Sequence, residues 1–251
     1  MIIQIIGLPG SGKTTLAKIL AERTNAIHLN ADEVRADLNK DLGFSPEDRV
    51  EQARRMGAMA RLLEKQGHLV IVDFVCPTQT ARNAFGKPTI LIWLNTIEES
   101  RYEDTNRMFE APEKYDYCFE SMNEDPLNKA MIIMAEFDLP DWKAPTTLLL
   151  GRYQPWHEGH QALKEKAHER TEQVLIAVRD TQGTSEKDPL SYREVVGHIV
   201  SANARPPFVI KVPNITNIVY GRDVGYKIEQ VDLGADIHAI SATEKRKELG
   251  I

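Results

Sequence analysis

Gly7-Leu8-Pro9-Gly10-Ser11-Gly12-Lys13-Thr14-Thr15 follows directly on an apolar run, Ile2 to Ile6, and leads into a helical pattern carried by Leu16, Ile19 and Leu20. Buried strand, glycine-containing turn and helix, in that order, are the setting that the phosphate-binding pattern G-x-x-x-x-G-K-[ST] requires. Gly7, Gly10 and Gly12 let the backbone wrap its N–H groups around an anion, which side chains there would forbid. The helix opening at Lys13 aims its positive dipole end at the same place. In such a loop the lysine reaches the β- and γ-phosphates of ATP and the hydroxyl after it holds Mg²⁺. The stretch therefore predicts an ATP and Mg²⁺ site made by Gly7, Pro9, Gly10, Ser11, Gly12, Lys13, Thr14 and Thr15.

Composition sets the frame around that loop. The 251 residues are 42% hydrophobic and 27% charged, enough for one large domain or two modest ones, each with its own core. A formal charge of −6 argues against a nucleic-acid or anionic-membrane partner. Two cysteines, Cys76 and Cys118, imply neither a disulfide framework nor a zinc cluster. No apolar stretch approaches the roughly 20 residues of a membrane span. Met1 to Ile6 lacks the basic flank of a signal peptide, so a cytoplasmic protein acting on small molecules and nucleoside triphosphates is expected. Assembly into a homo-oligomer is left open.

Past the first helix, Ala26 to Leu29 reads as a short strand ending in Asn30-Ala31-Asp32-Glu33. A carboxylate at the C-terminal end of a parallel strand lies beside the ligand crevice, so Asp32 is a candidate Mg²⁺ ligand or general base. The alternative is a helix N-cap for Glu33 to Asn39. Ser45-Pro46 with Asp48 opens a helix that runs to about Gln66, with Met56, Met59, Leu62 and Leu63 apolar. His68 to Phe74 follows as a buried strand, closed by Asp73, which is either a second magnesium-site carboxylate or a polar strand end. Cys76 to Lys87 reads as a loop and Thr89 to Leu94 as a strand. Glu110 to Lys143 is weakly periodic apart from Ala130 to Phe137, and Asp138 to Thr146 reads as a linker.

These pieces resemble adenylylsulfate kinase from Met1 to about Leu94. The resemblance rests on the P-loop, Asn30-Ala31-Asp32-Glu33-Val34-Arg35, the string N-K-D-L-G-F-S-P-E-D-R at Asn39 to Arg49, and Phe74-Val75-Cys76-Pro77. It implies that Asp32 is the catalytic carboxylate and that Arg35 and Arg49 grip the acceptor nucleotide. Planar guanidinium forks suit that duty, because they bind phosphate or sulfate bidentately and stay charged. The chain also departs from the family pattern. Asn30 stands for a first Asp, Gln52 for Asn, and Cys76-Pro77-Thr78-Gln79 for Ser-Pro-Tyr-Arg. The K-G-L-Y-x-K lid string is absent, and Arg101 to Glu110 lies in its place, with Arg101 and Arg107 either lid residues or surface arginines.

The second half repeats the strand, turn and helix order. Thr147 to Leu150 stops at Gly151-Arg152-Tyr153-Gln154-Pro155-Trp156-His157-Glu158-Gly159-His160, and a helix covers Gly159 to Arg170. His157-x-Gly159-His160 resembles the H-x-G-H signature of nucleotidyltransferases, and the string before it resembles the form seen in nicotinamide-nucleotide adenylyltransferases. Two imidazoles and helix N-terminal amides can stabilise the charge that builds on an α-phosphate as pyrophosphate leaves. Metal binding by the two histidines is the competing reading, without a third ligand at a usual spacing. Gln173 to Val178, Phe208 to Val212 and Thr216 to Tyr220 read as strands, with Ser191 to Glu194 a capping box. Ile240 to Arg246 resembles the I-S-x-T-x-x-R string, which implies that Ser241, Thr243 and Arg246 bind the donor's triphosphate; with Gly151, Arg152, Tyr153, Gln154, His157, Gly159 and His160 they make up the expected second nucleotide site.

The expected architecture is α/β throughout: a P-loop kinase domain with a parallel sheet over 1–143, then a Rossmann-like nucleotidyltransferase domain over 146–251. The expected function is bifunctional. ATP phosphorylates a small anionic acceptor in the first domain, through Lys13, Thr14 and Asp32. The second joins a nucleoside monophosphate, AMP from ATP in the first instance, to a phosphorylated small molecule, through His157 and His160. A sulfate-activating fusion is one alternative, because Gly221-Arg222-Asp223 matches the G-R-D string of sulfate adenylyltransferase. A nucleotide-sensing regulator is the other.

Overall fold

Strand β1 (Ile2–Gly7) is buried at every residue, as an uninterrupted apolar strand covered on both faces should be. In the computed structural model, which describes residues 1–205, 207–219, 221, 225, 227–234, 240 and 242–250, it is the middle of a five-stranded sheet. Its companions are β2 (Ile27–Asn30), β3 (Val70–Asp73), β4 (Ile90–Leu94) and β5 (Tyr117–Phe119), all parallel and ordered β2-β3-β1-β4-β5. Parallel neighbours need crossovers, here supplied by α1 (Lys13–Thr24), α2 (Ala31–Asp37), α3 (Pro46–Lys65), α4 (Gln79–Phe85) and α5 (Glu103–Met108), while α6 (Pro126–Glu136) follows β5 and packs against α1. The period-2 alternation of β1 divides the core. Ile3 and Ile5 pack with Leu16, Leu20 and Ile133 on one face, Ile2 and Ile6 with Met56, Ala60 and Phe85 on the other.

The chain divides into two compact units, Met1–Trp142 and Lys143–Ile251. The linker expected over 138–146 is accordingly much shorter. Leu139 is buried in the first core, Asp141 pairs with Arg23 at 2.6 Å, and the Trp142 N–H donates to the Arg23 carbonyl. Composition misled there because a few anchoring contacts hold a polar stretch that has no periodicity. Two further elements were missed. The loop expected over Cys76 to Lys87 contains α4, opened by the Thr78 side chain and too short to show a helical period. The weakly periodic segment after Glu110 contains β5, and α6 begins at Pro126 under an Asp125 cap, ahead of the expected Ala130.

In the second unit, β6 (Thr146–Gly151), β7 (Gln173–Arg179) and β8 (Phe208–Val212) form a parallel sheet in that order among the described residues. Helices α7 (Glu158–His168) and α8 (Tyr192–Ser201) are the crossovers, so these elements make one βαβαβ unit; α9 (Ala242–Leu249) follows. Its core holds Leu149, Tyr153, Trp156, Val174, Ile176, Val195 and Ile199. The strand expected over Thr216 to Tyr220 does not form: 214–219 carry no regular structure, and Tyr220 lies outside the described residues. Among the described residues no helix is long and apolar enough to cross a membrane.

Candidate functional site

The loop between β1 and α1 is shaped by close approach. At Gly7 the backbone has φ 149°, and a β-carbon would stand 2.4 Å from the Leu94 carbonyl oxygen, so β4 can lie against the loop only because the side chain is absent. Gly12, at φ 93°, is the N-cap of α1 and offers it no side-chain acceptor, which keeps the first-turn amides for an anion. The Thr96 hydroxyl pins the loop through the Ser11 carbonyl at 2.8 Å. Lys13 is buried and folds back to donate to the Leu8 carbonyl at 2.8 Å. Burial pushes its pKa down to about 8, against the opposing pull of Asp73 and Asp32.

Below the loop, β2 brings two side chains and α1 a third onto Asp73 at the end of β3. Asn30 stands in register opposite it. Asp73 is 1% exposed and accepts from the Thr14 hydroxyl at 2.7 Å, from the Asn30 amide at 3.1 and 3.2 Å, and bonds His28 Nε2 at 2.6 Å. Burial alone would raise its pKa, but the bonds from His28, Thr14 and Asn30 outweigh it and hold the carboxylate below the ordinary range. The N-cap of α2 is Asn30, whose side-chain oxygen accepts from the Asp32 and Glu33 amides, both at 3.0 Å. The alternative of Asp32 as N-cap therefore fails, and Asp32 sits in the first turn, facing the cavity described next.

That cavity encloses about 780 Å³ and is lined by Lys13, Thr14, Asp32 and Asp73 on one side and by Arg35, Phe44 and Arg49 on the other. Pro9 and Gly10 also reach it, whereas Ser11 is buried and Thr15 exposed. The string Asp41 to Arg49 folds over on itself. Asp48 accepts from the Gly43 amide at 3.0 Å, Arg49 Nε donates to the Phe44 carbonyl at 2.9 Å, and Arg35 donates to the Gly43 carbonyl. The two guanidinium carbons lie 4.8 and 5.8 Å from the Phe44 ring centre. The Arg49 fork also meets Asp104 at 2.9 Å and Thr105 at 3.1 Å on α5. Of the two candidate lid arginines, Arg101 lines the cavity, while Arg107 is outside its lining and pairs with Glu103 at 3.1 Å. The donor set suits Mg²⁺: a hydroxyl and two carboxylates are hard oxygen ligands, few enough to leave positions for phosphate and water.

In the second unit the turn after β6 is equally constrained. Tyr153 takes φ 53°, and a β-carbon on Gly151 would lie 2.8 Å from its ring. The Gln154 amide is committed to Leu190, donating to its carbonyl at 2.8 Å and accepting from its N–H at 2.9 Å, so it anchors the loop ahead of α8. Arg152 pairs with Asp188 at 3.2 Å. His157 caps α7, its Nδ1 accepting from the Gly159 amide at 3.1 Å, and His160 Nδ1 accepts from the His157 amide at 3.3 Å. The rings stack at 3.8 Å, with Tyr153 and Trp156 packed against His160. Because each Nδ1 accepts, each neutral ring carries its proton on Nε2 and is a donor there. Burial, then the neighbouring His157, pushes His160 down to about 3; burial also lowers His157, against Glu158. Arg246 on α9 donates to the Gln154 carbonyl at 2.9 Å and to the Thr243 hydroxyl at 3.1 Å. Ser241, Arg222 and Asp223 lie outside the described residues. No group of three or more His, Cys, Asp or Glu placed to hold a metal stands among those described.

Comparison with known proteins bears on the first unit. The family description adenylylsulphate kinase matches residues 1–96. The N-terminal region is adenylylsulfate kinase-like. Adenylyl-sulfate kinase of Oceanobacillus iheyensis is 41% identical over 87 residues, which are 33% of this chain and 44% of that protein. That of Bacillus licheniformis is 45% identical over 86 residues, again 44% of its length. The chain thus spans less than half of these curated relatives. Bifunctional enzyme NodQ of Rhizobium sp. is 31% identical over 166 residues, 55% of this chain and 26% of that one. Among solved structures, the Mycobacterium tuberculosis APS kinase CysC in complex with AMPPNP and APS is similar over 55% of this chain and 96% of that one, at 24% identity and a TM-score of 0.49.

Sequence reasoning missed His28 and the hold of Asn30 on Asp73. The signal was present in outline: His28 and Asn30, two apart on one strand, face the same way as a carboxylate ending the next. What sequence lacks is the register that brings them together.

Proposed function

We propose that the chain is a bifunctional transferase whose first unit moves the γ-phosphoryl group of ATP to a hydroxyl of a small anionic acceptor. The observation that carries this reading is the cavity with two chemically distinct walls: Lys13 and Thr14 with Asp73 and Asp32 on one, Arg35 and Arg49 on the other. Bound Mg²⁺, held through Thr14 with Asp32 or Asp73 nearby, would neutralise phosphate charge. The desolvation that now opposes the Lys13 charge would then be offset by the negative charge of the phosphate oxygens. Asp32 stands as the general base for the acceptor hydroxyl, and the arginine forks fix the acceptor's anionic group.

The second unit, in the same proposal, joins a nucleoside monophosphate to a phosphorylated small molecule and releases pyrophosphate. The His157 and His160 Nε2–H groups at the start of α7 are the donors toward the α-phosphate, and Arg246 with Thr243 meets the rest of the triphosphate. A second reading keeps both units on sulfate, the second making adenylylsulfate and the first phosphorylating it. Similarity to adenylyl-sulfate kinases and to an enzyme described as bifunctional favours it. The test supplies ATP or CTP with adenylylsulfate, sulfate, nicotinamide mononucleotide, or phosphorylated sugars and alcohols, and follows ADP and pyrophosphate separately. Pyrophosphate release that needs sulfate selects the second reading. Absence of turnover of either kind with tight nucleotide binding would replace both by a nucleotide sensor.

A further inference from the structure

We infer that His28 is a positioning residue for the Thr14 hydroxyl, acting through Asp73. The inference rests on the reading of Thr14 as the hydroxyl that holds Mg²⁺ in the kinase site. His28 and Asn30 on β2 and Asp73 on β3 share one sheet face, and α1 lays Thr14 against that face from above. The His28 side chain is 14% exposed and Asp73 1%, so the 2.6 Å bond between them is shielded from water. Shielding makes the bond stronger than its surface counterpart and makes its loss costly.

A hydroxyl has one proton to place and two lone pairs to offer. An ionised Asp73 only accepts, so the Thr14 proton goes to Asp73 Oδ2 at 2.7 Å. Asn30 Nδ2, at 3.2 Å from Thr14 Oγ1, takes one lone pair, and the other is left toward the cavity that Thr14 lines. That orientation is the one a hard cation needs. It holds only while the carboxylate is fixed about its own Cβ–Cγ bond. Asn30 straddles the two carboxylate oxygens at 3.1 and 3.2 Å and so holds that torsion only loosely. His28, bonded at 2.6 Å to the oxygen that Thr14 does not use, fixes the plane of the group and with it the oxygen turned to α1. The role needs a donor at Nε2 and is filled by the neutral ring as well as by the charged one.

The test uses the full chain loaded with a non-hydrolysable ATP analogue and titrated with Mn²⁺, bound ion being read by electron paramagnetic resonance. Outer partners of a metal site are worth about 10–100-fold in metal affinity. His28→Leu should weaken Mn²⁺ binding about 10-fold while leaving metal-free analogue binding, measured in EDTA, unchanged, and His28→Gln, which keeps a donor, should recover most of the loss. In a Thr14→Val background the His28→Leu change should have no further effect. Should His28→Leu fail to fold, His28→Asn, with its donor drawn back from Asp73, is read in the same way. Unaltered Mn²⁺ affinity in a folded His28 variant, or an equal His28 effect with and without the Thr14 hydroxyl, overturns the inference and makes His28 a packing residue, leaving the kinase reading intact. A native protein that binds the analogue but no Mn²⁺ would overturn both together.

Discussion

Lys13→Met separates the needs of catalysis from those of folding. Without nucleotide the lysine is held at about 8 where its ordinary value is 10.5, a gap that corresponds to roughly 3 kcal/mol set against its charged form at pH 7. Methionine keeps the length of the stem and removes the charge. It also leaves the Leu8 carbonyl without its 2.8 Å partner, a loss of about 1 kcal/mol. The net expectation is a nucleotide-free protein stabilised by about 1–2 kcal/mol, or roughly 3–8 °C in the melting of the first unit. The pH dependence has a definite sign. The folded value lies below the unfolded one, so the opposition is full below about 8 and fades as pH rises towards 10.5. The variant's advantage should shrink across that window and reverse near its top, where the lost Leu8 bond is what remains. Activity should move the other way, with phosphoryl transfer down about 100- to 1000-fold and pyrophosphate release by the second unit retained. Differential scanning calorimetry with and without ATP and Mg²⁺, beside the two product assays, reads all of this. A nucleotide-free variant that melts below the native protein at pH 7 would refute the reasoning.

Other outcomes follow from single contacts. Arg49→Lys keeps the charge and loses the fork, so it should raise the acceptor's KM far more than that of ATP; an unchanged acceptor KM counts against Arg49 as the grip. Gly7→Ala drives a β-carbon to 2.4 Å from the Leu94 carbonyl oxygen and should cost about 1–3 kcal/mol in urea unfolding. His160→Ala should lower the rate of nucleotidyl transfer with nucleotide affinity nearly kept, and Arg246→Ala should do the reverse, which calorimetric titration separates from rate. His160 is held neutral near 3 against an ordinary 6.5, so stability falls as pH drops below 6.5. About 2 kcal/mol should be lost by pH 5, relative to His160→Phe, in unfolding experiments followed on the second unit.

What the sequence made legible is what local rules govern. The glycine-rich turn after an apolar strand, Ser45 with Pro46 at the head of α3, and the Ser191 capping box all formed where their residues placed them. Each depends on neighbours within a few positions. The site network did not yield so easily, because Asp73 acquires its meaning from strands paired across 43 residues of sequence, the distance from Asn30. The balance left between a magnesium-site carboxylate and a polar strand end could be tipped only by register. Helix α4, at seven residues, is shorter than two full turns and leaves no period to read. In the second unit the histidine pair was visible as letters, but its donor character was not. That character comes from two backbone amides taking each Nδ1, a choice made by the cap of α7.

The contact of Arg49 with Asp104 and Thr105 sets a condition on whatever anion the cavity receives. Asp104 is itself an anion, tethered on α5 and already seated on the fork. An incoming sulfate or phosphate therefore meets an internal competitor at high local concentration rather than an idle cation. Its apparent dissociation constant is the intrinsic one divided by the fraction of time Asp104 is away. Weakly charged molecules would lose that contest more often than doubly charged ones, so a single surface carboxylate would act as a threshold on how much charge a visitor must carry to displace it.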